Sequence, residues 1–173
     1  THKLRWATAT RPVPYAGGGI QELTAPSTFM HNSYHRGDLL YITEESFEDG
    51  CAADGVLVIA SLKGSYHGEG WRSTPQDPFR LNTVSSWGVA GQEGSDPASD
   101  DCSAHYFDVS GNILVQSFYA QGTRFLDISD PTNPRQIAYH RAVDAQSWQP
   151  VWHRGLVYVA DNARGIDVLK LTT

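Results

Sequence analysis

The sequence predicts an all-β protein built from repeated antiparallel sheets. Three observations support this prediction. Short segments rich in β-branched and aromatic residues follow tight-turn residues along the chain, no long segment has the apolar spacing of a helix, and one strand–turn–strand pattern recurs. The predicted strands are residues 39–43, 56–60, 113–116, 124–128, 156–160 and 166–171.

The recurring pattern is centred on three turn glycines, Gly37, Gly111 and Gly155. Each follows one strand and precedes another, and a second glycine with a third strand comes later in each unit. The spacing from Gly111 to Gly155 matches one β-propeller blade, for which about 40–45 residues are typical. The longer spacing from Gly37 to Gly111 indicates inserted residues, chiefly a polar insertion at about residues 64–101.

These repeats predict one domain, residues 1–173, made of β-propeller blades. We count about three blades and a partial one near residues 18–23, whereas a closed ring needs about four to eight. The expectation is therefore an incomplete ring, completed by another chain or by an N-terminal portion outside this sequence. The alternative is a β-sandwich, which also has short, regularly spaced strands.

Composition and charge exclude some function classes. The chain has 13 Lys and Arg against 19 Asp and Glu, a net charge of −6, and such acidity argues against binding to nucleic acid or to an anionic membrane. No apolar run reaches the roughly 18 residues of a transmembrane helix. We therefore expect no nucleic-acid partner and no transmembrane segment.

The C-terminal repeats also resemble a known family. The sequence GTRFLDISDPTNPRQIAYHR at 122–141, with its strand followed by a D-P-x-N-P turn, is similar to the bacterial LVIVD-repeat β-propellers. So are GNILVQSFYAQGTRFLDIS and GLVYVADNARGIDVLKL, and the similarity covers roughly residues 102–173. The resemblance implies a propeller fold; it implies no single activity.

The two cysteines, Cys51 and Cys102, lie in polar surroundings rich in Gly and Asp. Buried structural thiols usually lie in apolar runs, so we expect a disulfide between them; the alternative is two unrelated free thiols. A disulfide indicates an oxidising compartment. We therefore expect an extracytoplasmic location, whether secreted, periplasmic or at the cell surface.

Three side chains are candidates for a central channel. His31 and His105 lie six residues before their turn glycines, and Gln149 holds that position in the third unit. Equivalent positions of neighbouring blades converge near the axis of a propeller. His31 and His105 could therefore bind a transition metal ion there; the alternative is that each ring bonds a backbone carbonyl of the next blade.

Carboxylates are available to such a site or to a separate calcium ion. Glu44, Glu45 and Asp161 are the candidates near the histidines, while Asp127 and Asp167 recur after glycine-led strands. The two recurring aspartates suit either calcium or hydrogen bonds within repeat turns. No catalytic residue is identified, since no sequence motif for catalysis is present.

The insertion is the predicted partner-binding surface, with Tyr66, Trp71 and Trp87 as its aromatic contacts. The sequence therefore favours a non-enzymatic, extracytoplasmic scaffold or accessory subunit without a cofactor. Its partner would be another protein or a companion chain that completes the propeller. The alternative is a metal-dependent enzyme with its site at the channel mouth.

Overall fold

We describe the protein from a computed structural model. The structure describes residues 11–12, 23–24, 29–47, 50–51, 55–63, 82–99 and 101–172. All regular secondary structure in these ranges is β-strand, so the predicted all-β class is confirmed. None of the described residues forms a helix with the length and apolarity needed to cross a membrane.

The strands form three antiparallel sheets and one small pair. The small pair consists of β1 (Arg11–Pro12) and β2 (Leu23–Thr24). The first sheet contains, in order, β3 (Phe29–Arg36), β4 (Leu39–Glu45), β5 (Leu57–Ser61) and β6 (Asn82–Trp87). The second contains β7 (Phe107–Ser110), β8 (Ile113–Ser117), β9 (Thr123–Asp127) and β10 (Arg135–His140). The third contains β11 (Ser147–His153), β12 (Leu156–Asp161) and β13 (Gly165–Leu169).

The three sheets stack in chain order through two apolar clusters. The cluster between the first and second sheets includes Tyr41 and Ile59 on one side and Leu114 and Leu126 on the other. The cluster between the second and third sheets is formed by Val115, Phe125, Val157 and Val159. Each sheet therefore buries one face against the next, an arrangement of three layers rather than the two of a sandwich.

The tight turns correct one detail of the repeat alignment. Gly37 and Gly111 are the first residues of two-residue hairpin turns, with φ of 58° and 59°. In the third sheet the first turn residue is Arg154, with φ of 50°, and Gly155 is the second. Positive φ at both positions is the pattern of a type I′ turn, which places glycine one residue later than a type II′ turn does. Aligning the three glycines therefore shifts the third unit by one residue.

The segment predicted to be an insertion contains one strand of the first sheet. β6 lies within residues 64–101 and is the fourth strand of the first sheet, paired with β5. Residues 91–99 then pack on the second sheet, where the buried guanidinium of Arg124 donates hydrogen bonds to the carbonyls of Glu93 and Gly94. The part of this segment between Gly64 and Leu81 lies outside the described residues.

Candidate functional site

The repeat places three rings side by side at the junction of the sheets. Counted from the first residue of each turn, the position six residues earlier holds His31, His105 and Trp148. The ring centroids of His31 and His105 are 4.0 Å apart, and those of His105 and Trp148 are also 4.0 Å apart. The structure thus brings the two predicted histidines together, whereas Gln149 is exposed and Trp148 occupies the equivalent position.

β-Bulges explain how these side chains reach the junction. The register of β3 against β4 shifts between Met30 and Asn32, so that His31 is the extra residue. In the third sheet the shift falls between Ser147 and Gln149, so that Trp148 is the extra residue. Because a bulge turns a side chain away from the regular alternation of a strand, both rings point where an unbroken strand would not direct them.

Glu45, the last residue of β4, is the carboxylate of this cluster. Its Oε2 lies 3.0 Å from Nδ1 of His31, and its Oε1 lies 3.7 Å from Nε2 of His105. The hydroxyl of Tyr119 donates a hydrogen bond to Oε1. Tyr119 stands at the same repeat position in the second sheet as Glu45 in the first, eight residues after the first turn residue.

The protonation of His105 follows from its contacts. Its Nδ1 lies 2.8 Å from the carbonyl oxygen of Trp148, and a carbonyl only accepts, so Nδ1 carries the proton. Burial lowers the pKa of His105, opposed by the hydrogen bond to Trp148. With Nδ1 bound to this carbonyl, the ring presents Nε2 to the carboxylate of Glu45.

Tyr119 is held in an uncommon backbone conformation. Its φ is 41°, in the left-handed region that non-glycine residues rarely adopt. Its amide donates to the carbonyl of Ser147, and the amide of Ser147 donates back to the carbonyl of Tyr119. Burial and the hydrogen bond to Glu45 raise the pKa of the phenol well above its usual range. Tyr119 therefore donates to Glu45 as a neutral phenol.

Among the described residues, His31, Glu45 and His105 form a candidate ligand group that could hold a metal ion. One ligand atom from each lies within 4.8 Å of the others. His31 is partly buried, and Glu45 and His105 are buried, with His105 only 1% exposed. Two imidazoles and one carboxylate can hold a transition metal ion.

The predicted carboxylate Asp161 has a local structural role. Asp161 accepts hydrogen bonds from the backbone amides of Gln146, Ala163 and Arg164, and so closes the turn after β12. Glu44 lies next to Glu45 but is not part of the ligand group.

The two recurring aspartates have different partners. Asp127 accepts from the side chain and from the backbone amide of Ser129, and both hydrogen bonds lower the pKa of its carboxyl group. Asp167 is paired with Arg164. The contact of Asp127 with Ser129 fits the alternative to calcium, a hydrogen bond within a repeat turn.

The disulfide between Cys51 and Cys102 is present, as predicted. It joins the loop that follows Glu45 to the segment that leads into His105. The amide of Ser46 donates to Oγ of Ser103 at 2.7 Å, beside the same junction. Glu45 on β4 and the segment that carries His105 are thus held together by a covalent bond and a hydrogen bond.

The predicted partner-binding aromatics do not form a described surface. Tyr66 and Trp71 lie outside the described residues. Trp87 ends β6 in the core, 6% exposed, with its ring 5.6 Å from that of Phe118. Trp87 therefore has little side-chain surface to offer a partner.

Sequence reasoning missed Tyr119 and Trp148 and named Glu45 only as one of three carboxylates. Trp148 could have been found by taking Arg154 as the first residue of the third turn, which moves the alignment of that unit by one residue. Glu45 and Tyr119 could have been found by comparing positions after the turns, as well as before them. Their contact crosses between sheets, however, and no local pattern encodes it.

No protein-family model and no curated protein matches this chain. Among solved structures, the crystal structure of the computationally designed Ika4 protein is similar at 13% identity and a TM-score of 0.42, covering 99% of each chain. The computationally designed Ika8 protein is similar at 10% identity and a TM-score of 0.39, covering 88% of this chain and 47% of that one.

Proposed function

We propose that the three sheets are blades of a β-propeller and that the chain is an extracytoplasmic interaction module, a scaffold or accessory subunit. In this proposal the third sheet docks a further β-sheet supplied by a companion chain. The observation that carries it is the exposed apolar outer face of the third sheet, whose equivalents in the other two sheets are buried.

The comparison of equivalent positions supports docking. Tyr41 pairs with Ile59 in the first sheet, and both side chains are buried by the second sheet. Tyr158 pairs with Val168 at the same positions of the third sheet, where they are 37% and 55% exposed. Ile166, two residues along the same strand face, is 64% exposed. The outer face of the third sheet is therefore apolar, like the buried faces of the other sheets, but no sheet covers it among the described residues.

The strand count supports the same interpretation. The first and second sheets have four strands and the third has three, with β13 at its edge. An edge strand presents unpaired backbone groups that can pair with a strand from another chain. A companion chain that supplied one outer strand and one further sheet would cover both the edge and the face.

Two further observations support the location and the family. The Cys51–Cys102 disulfide is compatible with an oxidising compartment. The sequence resemblance to LVIVD-repeat propellers covers the second and third sheets, which pack on each other. The role of Tyr66 and Trp71 in binding a protein partner stays part of the proposal. Removing residues 66–80, which leaves β6 in place, tests this role. The deletion should abolish capture of the protein partner.

An extended chain tests the docking face directly. Joining a second copy of residues 130–172 after Thr172 would supply a fourth strand to the third sheet and a copy of that sheet to its outer face. We expect the backbone amides of β13 to exchange with solvent at least tenfold more slowly than in the original chain. The control is the same extension with Val157→Asp in the added copy, which places a charge where the sheets would meet.

Two results would contradict the proposal. The first is equal exchange of β13 in the original and extended chains. The second is a dimer of the original chain, seen by sedimentation, that Tyr158→Asp dissociates. In that case a second copy, and not a companion sheet, would be the partner of this face.

A further inference from the structure

We propose that His31, Glu45 and His105 bind one divalent transition-metal ion at the junction of the first and second sheets. This inference does not depend on the docking face of the third sheet, because its ligands belong to the other two sheets and the segment between them. It names a metal class and a set of ligands for the transition-metal site that the sequence suggested at His31 and His105.

The donor atoms select the class of metal. Imidazole nitrogens suit zinc, iron, copper and nickel, whereas calcium takes six to eight oxygen ligands. Two nitrogens and one carboxylate therefore favour a transition metal over calcium. With three protein ligands, a tetrahedral ion keeps a fourth position for water or a small molecule.

The spacing of the donor atoms is close to that of a metal site. Bonds of about 2.0–2.2 Å place neighbouring ligand atoms about 2.8–3.6 Å apart, from octahedral to tetrahedral geometry. The 3.0 Å between His31 Nδ1 and Glu45 Oε2 lies within this range. The 3.7 Å between His105 Nε2 and Glu45 Oε1 lies just beyond its tetrahedral end, a difference that small side-chain rotations remove.

The orientation of His105 is that of a ligand. Nδ1 donates to the carbonyl of Trp148, an outer hydrogen bond of the kind that metal-binding histidines make. In the neutral ring Nε2 is then an acceptor, and it faces the carboxylate of Glu45, itself an acceptor. Two acceptors that face each other in a buried site gain stability from a cation between them.

Tyr119 and the disulfide act as positioning groups. The phenol of Tyr119 donates to Oε1 of Glu45 and so fixes the plane of the carboxylate. The Cys51–Cys102 bond holds the segments that carry Glu45 and His105. Ligands fixed in this way lose less freedom when an ion binds, which raises affinity.

Titration with Co²⁺ tests the site, because visible Co²⁺ absorption reports both stoichiometry and coordination geometry. The protein is first treated with a chelator, then titrated with Co²⁺ and competed with Zn²⁺. We expect one equivalent of Co²⁺ to bind, Zn²⁺ to displace it, and Ca²⁺ in excess not to. His31→Gln and Glu45→Gln should each weaken binding at least a hundredfold.

His35→Gln is the matched control, since His35 lies on the same strand as His31 but is exposed. It should leave Co²⁺ affinity and spectrum unchanged. Tyr119→Phe tests the positioning role: affinity should fall about 10–100-fold, the range for outer hydrogen-bond partners of ligands. The bound spectrum should also change, which a merely stabilising role would not cause. Circular dichroism shows which variants fold. If Glu45→Gln does not fold, His31→Gln still tests the metal site.

The proposal is overturned if no stoichiometric Co²⁺ binds, or if folded His31→Gln binds it as the unmodified protein does. Displacement of Co²⁺ by Ca²⁺ instead of Zn²⁺ would overturn the class of metal. Each of these outcomes leaves the exchange of β13 in the extended chain unaffected, so the metal site and the docking face can fail separately.

Discussion

Replacing Arg124 with methionine should destabilise the protein more than any surface charge replacement. Arg124 is fully buried on β9, and every N–H of its guanidinium donates a hydrogen bond. Its acceptors are the carbonyls of Gln121, Glu93 and Gly94 and the side chain of Gln136. The ring of Tyr139 covers the guanidinium at 5.2 Å. These neutral groups surround the charge without a carboxylate among them.

The magnitude follows from which acceptors can return to water. Gln121 is buried, so its carbonyl, which accepts from both Nε and Nη2, would lose its partner at a cost of about 1–3 kcal/mol. The carbonyls of Glu93 and Gly94 belong to residues 91–99 and would regain water only if that segment lifted from the second sheet. If residues 91–99 lift, the loss of their packing on the second sheet adds about 1 kcal/mol or more to this cost. We expect a total loss of about 3 kcal/mol in the free energy of unfolding.

Urea unfolding monitored by tryptophan fluorescence measures this loss, and hydrogen exchange of residues 91–99 shows whether the segment is released. Arg124→Lys keeps the charge but has three donors instead of five, so it should lose nearly as much. The matched control is Arg164→Met, because Arg164 pairs with Asp144 and Asp167 on the surface, where such pairs contribute little. A loss below about 1 kcal/mol for Arg124→Met, or a larger loss for Arg164→Met, would refute the reasoning.

Two other changes follow from the backbone and the disulfide. Gly122→Ala should cost at least about 2 kcal/mol in thermal unfolding, because φ is +76° and a Cβ would lie 2.3 Å from the carbonyl oxygen of His140. Gly111→Ala, with φ of +59° and no atom within 4 Å of the added Cβ, should cost only about 1 kcal/mol. Equal losses for Gly122→Ala and Gly111→Ala would contradict the predicted clash with His140. Replacing Cys51 and Cys102 with serine opens a link across 51 residues and should lower stability by up to about 4 kcal/mol. Mass measurement after alkylation, with and without reductant, checks the bond, and two alkylated thiols without reductant would disprove it.

Much of the strand structure could be predicted from the sequence. The segments 39–43, 113–116 and 156–160 lie within β4, β8 and β12, and the predicted 56–60 and 124–128 are displaced from β5 and β9 by one residue. Short apolar runs rich in β-branched and aromatic residues, bounded by turn residues, carry this information locally. The tight turns before β4, β8 and β12 could also be predicted, because glycine is favoured at their positive φ.

The candidate site could be predicted only in part. Repeat alignment identified His31 and His105, and the structure brings their rings together; their role as ligands stays a prediction. The same alignment gave Gln149 in place of Trp148, since it assumed one turn type in all three units. The segment expected as an insertion contains β6, whose pairing with β5 depends on a contact between strands that lie far apart in the sequence.

The sequence by itself determined where the strands and turns lie and which residues recur at equivalent positions. Only the tertiary structure decided that Glu45 and Tyr119 meet, that bulges turn His31 and Trp148 to the junction, and that the outer face of the third sheet is exposed. The physical reason is the range of the interactions. Strand and turn preferences act between neighbouring residues, whereas the packing of one sheet on the next is set by contacts that no local segment contains.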